Sequence, residues 1–310
     1  MFADPAPRSP EPGSACAIGR TGRLIANRLS FVSLLSFAEN TYALILGASS
    51  GFGGATALEY ARHGINVIGV HLDRGATLAA CTELQSQIRE HGVEAHYFNV
   101  NAADPGQRAS VLDQVEAIFA GRPGATIRVL MHSLAFGSLK PFIAEQPADA
   151  LTQAQVEMTM NVMANSLVYW TQDVVRRGLM AQGGRIFAMT SSGSHRVLPM
   201  YGAVSAAKAA LESYCRQLAF ELGPRGITAN AVQAGVTVTP ALNKIPGSSQ
   251  IIANAMGRNP LGRLTLPEDV ARALVLFASD HASWLNGTVI RLDGGEDAVE
   301  LTWSEEEKGA

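Results

Sequence analysis

The residues best equipped for chemistry lie in one stretch, Thr190 to Tyr201, and in the helical run behind it. Ser191 and Ser192 open it, Tyr201 closes it, and Lys208 follows seven positions later in the Ala-rich segment Gly202–Gly223. On a helix, seven steps of about 100° return to within about 20° of the start. Tyr201 and Lys208 therefore share a face, roughly 10 Å apart along the axis, against about 6 Å for a four-residue spacing. A phenol backed by an ammonium suits donation of a proton or hydrogen bond to an oxygen on which negative charge builds.

The partner of that pair is indicated far upstream. The apolar run Tyr42–Leu46 reads as a strand and ends in Gly47–Ala48–Ser49–Ser50–Gly51–Phe52–Gly53–Gly54, with a helical pattern behind it to His63. Strand, glycine turn and helix in that order mark a phosphate site. Gly47 permits the tight turn, Gly51 and Gly53 admit a pyrophosphate, and Ser49, Ser50 and Phe52 line the turn. The helix N-terminus then offers N–H groups to the anion. In the second strand, Ile65–Val70, the tip position falls on His71, where an acid would accept bonds from the ribose of NAD. Arg74 lies within reach of the extra phosphate of NADP, so NADPH is the expected cofactor, and Asp73 keeps NADH open.

The intervening elements must bring the two regions together. Strand and helix alternate about seven times over residues 41–295. This predicts an α/β fold: one doubly wound, Rossmann-type domain with a mostly parallel seven-stranded sheet. Strand Thr126–Met131 runs into His132–Gly137, whose small residues Ser133 and Ala135 suggest backbone passing close to a cofactor. A long helix is expected from about Ala150 to Met180, with Asn161 inside it. Over 236–262 the alternation lapses around Pro240, Pro246, Gly247 and Pro260, as expected of an irregular lid over the substrate. Residues 1–40 read as an unstructured or short-helical extension, or an over-extended start site, in preference to a transit peptide. Residues 296–310 read as an acidic, solvated tail.

Composition excludes several classes. A net charge of −3 gives no electrostatic case for nucleic acid or an anionic membrane, and no apolar run is long enough to span a bilayer. Cys16, Cys81 and Cys215 are widely spaced, which suits a reducing, cytoplasmic setting without disulfides. No clustered ligand spacing occurs among histidines and cysteines, so no metal is expected. His132 and His195 read as packing or rim residues, because Tyr201 and Lys208 already fill the acid–base roles.

Gly47-x-x-x-Gly51-x-Gly53, Asn161, the serine pair before Tyr201, and Lys208 together resemble the short-chain dehydrogenase/reductase superfamily over roughly Tyr42 to Gly295. Asn230–Gly235 through Thr239 looks like that family's turn over the nicotinamide, although Ala234 stands where proline is usual. Likewise His132–Ser133–Leu134–Ala135 stands where Asn-Asn-Ala-Gly is usual. The resemblance implies that Asn99, Val100, Gly235, Val236 and Thr239 also line the cofactor. It implies further that Lys208 holds the nicotinamide ribose, that Ser191 assists the oxygen or cofactor, and that Asn161 anchors a water linked to Lys208.

One departure points to a subfamily. The superfamily's usual spacing is Tyr-x-x-x-Lys, but four positions before Lys208 stands Val204, which donates nothing. Tyr201 makes Tyr-x6-Lys, which resembles the enoyl-acyl-carrier-protein reductases. The ordinary glycine turn, Gly193–Ser194, Arg196 and the 239–262 segment are similar to their NADPH-dependent branch. That resemblance implies reduction of an enoyl thioester on acyl carrier protein or coenzyme A, and a homotetramer. In such a reaction charge builds on an oxygen two carbons beyond the carbon that receives hydride. A Tyr set one turn outward suits that reach. Two rival readings are a carbonyl or enone reductase of secondary metabolism and a non-catalytic NADP-binding regulator.

Overall fold

The computed structural model describes residues 35–300. The expectations for residues 1–34, Cys16 included, and for residues 301–310 lie outside the described residues. Seven parallel strands form one sheet: β1 (Thr41–Leu46), β2 (Asn66–His71), β3 (Ala95–Asn99), β4 (Thr126–His132), β5 (Arg185–Thr190), β6 (Thr228–Ala234) and β7 (Val289–Leu292). Their spatial order is β3-β2-β1-β4-β5-β6-β7, with every neighbouring pair parallel. The order reverses direction between β1 and β4, so the crevice beyond their C-terminal ends is where an open sheet of this kind binds ligands.

Helices cover both faces, which is why β1, β5 and β6 are buried along their whole length instead of alternating with polar residues. Tyr42, Leu44 and Leu46 point to one side, against α3 (Pro105–Phe119), α5 (Ser166–Arg176) and α6 (Gly202–Leu222), through Val111, Trp170 and Leu211. Ala43 and Ile45 point to the other, against α1 (Gly51–Arg62) and α8 (Pro267–Ala278), through Tyr60 and Leu274. The period of two along a strand thus feeds two separate cores. A helix α2 (Ala76–Glu90) completes the first half.

Four expectations need correction. The helix predicted over Ala150–Met180 is two helices, α4 (Gln153–Met160) and α5, joined by a π-turn at Asn161–Asn165. The 236–262 segment is not irregular: it contains a helix, α7 (Ser248–Arg258), held by its buried Ala255. Leu35 and Phe37, placed by sequence in the extension, pack against the core. Glu296 and Asp297, placed in a solvated tail, are buried, with side chains only 4% exposed, because each satisfies several donors at the end of the sheet.

Candidate active site

The glycine turn between β1 and α1 is built by close backbone approach. Gly47 adopts φ +89°, and a Cβ there would strike the Ser133 carbonyl, while a Cβ on Gly53 would collide with the Gly47 carbonyl. No larger residue fits either place. Ser133 is fixed beside the turn by donating its N–H to the Leu46 carbonyl at 2.8 Å. Ser50 is the N-cap of α1 but its side chain makes no capping bond, and no acid occupies the first turn. The N-terminus of α1, with Phe52 on its first turn, thus keeps its positive end for an incoming anion. A Cβ on Gly51 would touch only Thr239, so the turn after β6 reaches over the turn after β1.

At the tip of β2, His71 is not open to a ligand as the sequence suggested. It is buried and pairs through Nδ1 with Asp73 Oδ2 at 2.8 Å. Asp73 carries the surface instead. Burial, the largest influence, pushes its carboxyl up, but Ser49, Thr77 and His71 outweigh it and hold the group below its ordinary value. Asn99 clamps the Asp73 backbone with two 3.0 Å bonds, and Val100 donates its N–H to the His71 carbonyl at 2.8 Å. Arg74 is exposed, and its guanidinium makes no ion pair among the described residues. Folding also gathers Cys81 against His71, a ligand-type cluster that the chain spacing hid. Its sulfur lies 3.7 Å from both ring nitrogens, hence over the ring face and out of line with either lone pair, which is packing geometry.

Tyr201 stands at the head of α6 as its N-cap and not within the helix, with φ −98° and ψ 4°. The residue before it, Met200, takes φ +62°, a strained conformation for a side chain of its size. A Cβ on Gly193 would fall 2.6 Å from Tyr201 Cε1, so glycine there lets the phenol ring lie flat against the turn. The turn is tied to α6 by Ser205, whose hydroxyl donates to the Gly193 carbonyl at 2.5 Å. Burial raises the phenol's pKa, against a smaller lowering by Ser191. The phenol is therefore held protonated, as a donor. Ser191 Oγ itself is buried and makes no well-formed hydrogen bond among the described residues.

Lys208 is buried and donates Nζ to the Met189 carbonyl at 2.6 Å. Burial lowers its pKa to about 8, and Glu212, one helical turn on, opposes that fall. Glu212 is held in place by the Thr190 hydroxyl, which donates to it at 2.6 Å. Val204 is buried at the inner position, so no donor stands there. Asn161 opens the π-turn between α4 and α5. His132 is fully buried, with its ring against Ser166 Oγ at 2.8 Å and its pKa lowered to about 3 by burial and then by Lys208. It stays neutral.

Sequence reasoning missed the acids after β7. Glu296 accepts the Val236 N–H at 3.0 Å, pinning the turn Gly235–Thr239, and a Cβ on Gly235 would meet both Thr265 and Glu296. Asp297 accepts from Gln233, His195 and Arg196, so the rim of the site is tied to the chain's last described segment. Their only signal in sequence is that they directly follow Asp293–Gly294–Gly295, and Asp293 itself accepts the Gly295 and Asp297 N–H groups.

The sequence family described as enoyl-(acyl carrier protein) reductase matches residues 47–296. A short-chain type dehydrogenase/reductase of Picea abies is 30% identical over 259 residues, covering 82% of this chain and 91% of the relative. The chain belongs to the short-chain dehydrogenase/reductase superfamily. An NADPH-dependent aldehyde reductase-like protein of Arabidopsis thaliana is 28% identical over 262 residues, 82% of this chain and 93% of the relative. The promiscuous reductase LugOII, which catalyses keto-reduction at C1 in lugdunomycin biosynthesis, superposes with a TM-score of 0.70 at 29% identity, covering 83% and 98% of the two chains. As a member of this superfamily the protein is an oxidoreductase that uses a nicotinamide cofactor. The cradle formed by Gly47, Gly51 and Gly53, together with the orphaned Ser191 hydroxyl, fits such a group. No described helix is long and apolar enough to cross a membrane.

Proposed function

We propose that this reductase saturates the carbon–carbon double bond of an enoyl thioester, with NADPH as reductant and the acyl group carried on acyl carrier protein or coenzyme A. One observation carries the reading: the inner helical place is filled by buried Val204, so the acid hydroxyl comes only from Tyr201, ahead of the helix. When bound, the nicotinamide supplies the hydride. Tyr201, kept protonated by burial, donates to the thioester oxygen as charge accumulates there. Lys208, anchored on the Met189 carbonyl, holds the cofactor sugar and keeps positive charge behind the phenol. Ser191 offers a second donor. Arg74 meets the extra phosphate of NADPH, and Ser49, Ser50 and the first turn of α1 meet the pyrophosphate.

The mouth of the site suits an apolar chain. Met200 and Val197, which is 96% exposed, flank Tyr201 along the chain. The Phe142 ring fills the space where a Cβ on Gly202 would stand.

A second reading, reduction of a ketone or aldehyde, is supported by the names of the two reductases above and by the closeness of Ser191 to Tyr201, two hydroxyls able to converge on one oxygen. NADPH oxidation with a crotonyl thioester, set against an aromatic ketone, separates the two. The enoyl reading expects turnover of the thioester, and a loss of about 10²–10³ in kcat for Tyr201→Phe, as for other oxyanion donors. Turnover of the ketone alone would end it.

A further inference from the structure

The opposite edge of the sheet holds a second cavity, at the beginnings of the strands. Arg128 on β4, Arg185 at the start of β5 and Thr228 at the start of β6 line it, together with Asp280, Trp284 and Asn286. Its volume of about 790 Å³ lies within the range of small-molecule sites. The strands between are about 20 Å long, so this cavity is separate from Tyr201 and the glycine turn.

Its electrostatics are unbalanced. Two guanidinium groups face one carboxylate, and Asp280 is spent on Arg128, at 2.7 Å, while remaining 3.9 Å from Arg185. Arg185 is only 2% exposed. Its terminal nitrogens donate to the Gly183, Gly184 and Ser279 carbonyls, but Nε has no hydrogen-bond partner among the described residues. Thr228 Oγ1, in the same cavity, has none either. Buried polar atoms are ordinarily satisfied, and a buried cation is costly without a counter-charge. Burial, then Arg128, lowers the pKa of Arg185, the mark of positive potential that an anion would relieve. At the cavity wall stands Trp284, 99% exposed. An indole left wholly in water offers a flat apolar surface for a ring.

We propose that this cavity is a binding site for a small aromatic carboxylate, its oxygens on Arg185 Nε and Thr228 Oγ1 and its ring against Trp284. A monoanion matches the single excess positive charge, and two spare hydrogen-bonding atoms match two carboxylate oxygens.

Calorimetric titration of the full chain with 2-naphthoate tests this, with NADP⁺ at saturation to occupy the cofactor site. One naphthoate per chain is expected, with 2-naphthylmethanol (ring without charge) and acetate (charge without ring) each at least about ten-fold weaker. Trp284→Ala, at a side chain that packs on nothing, should weaken binding roughly three- to ten-fold. Thr228→Val, which removes one of the two orphaned atoms, should weaken it further while the melting temperature holds. Arg185→Gln should abolish it, and is read beside a thermal melt because Arg185 also braces three carbonyls. The site is refuted by no heat from naphthoate, by equal affinity for naphthylmethanol, by competition with NADP⁺, or by binding that ignores both Trp284→Ala and Thr228→Val.

Discussion

The balance of charge around Lys208 can be tested by a change that leaves every contact in place. Glu212 lies four residues on from Lys208 on α6, so their Cβ atoms are about 6 Å apart. Lys208 is buried and Glu212 is partly exposed, which places the pair between water and protein interior. With an effective dielectric of about 60, a pair of unit charges at that separation is worth about 1 kcal/mol, or about 0.7 of a pH unit. Glu212→Gln deletes the charge but keeps an oxygen to accept the Thr190 hydroxyl. Removing an anion beside a cation disfavours the charged form, so the pKa of Lys208 should fall from about 8 to near 7. If the site needs the ammonium, kcat/KM for NADPH oxidation falls on the alkaline side around pH 8 in the wild type. The variant should begin to fall about 0.7 of a unit earlier, and Glu212→Asp should recover most of the difference. An alkaline limb that stays where it was, or moves upward, refutes the reasoning.

Other consequences follow from single contacts. Gly193→Ala sets a methyl group against Tyr201 Cε1. It should cost about 1–3 kcal/mol of stability and lower kcat by displacing the phenol, as seen in a melt and steady-state rates on one preparation. Arg74→Ala should raise KM for NADPH about ten-fold and leave KM for NADH unchanged, while Asp73→Asn should ease NADPH binding; equal effects on both cofactors would remove Arg74 from the phosphate. For Asp297, burial raises the carboxyl, but Gln233, Arg196 and His195 more than offset it and the pKa stays depressed. Its contribution is therefore complete above the ordinary carboxylate pKa and is lost as the pH falls through the lower, folded-state value. Asp297→Asn should melt below the wild type at neutral pH, and the two curves should converge in acid.

Much of this molecule is legible in its residues because the signals are local. A strand, a tight glycine turn and a helix follow one another within about twenty positions at Tyr42–Arg62, and the constraint on Gly47 is a property of its own backbone. The buried runs of β1, β5 and β6 announce a sheet covered on both faces. What failed did so where distant segments compete for one residue. His71 occupies the ligand's place in the strand pattern but turns inward to Asp73. The acids after Gly295 look like a solvated tail by composition, yet Val236, Gln233, His195 and Arg196 reach them from four other places in the chain. Helix α7 escaped notice because the prolines and glycine around it resemble a loop.

By itself, then, the sequence determined the order of elements and the kinds of functional group: a phosphate-accepting turn, a phenol, an ammonium and serine hydroxyls. Periodicity and glycine sterics act over a few residues, so they survive without a fold. Only the tertiary structure decided the state of those groups. It set Tyr201 ahead of its helix, buried Lys208 beside Glu212, and left Ser191 without a partner. Burial, charge and hydrogen bonding at these positions depend on what other segments bring, and no spacing along the chain records that.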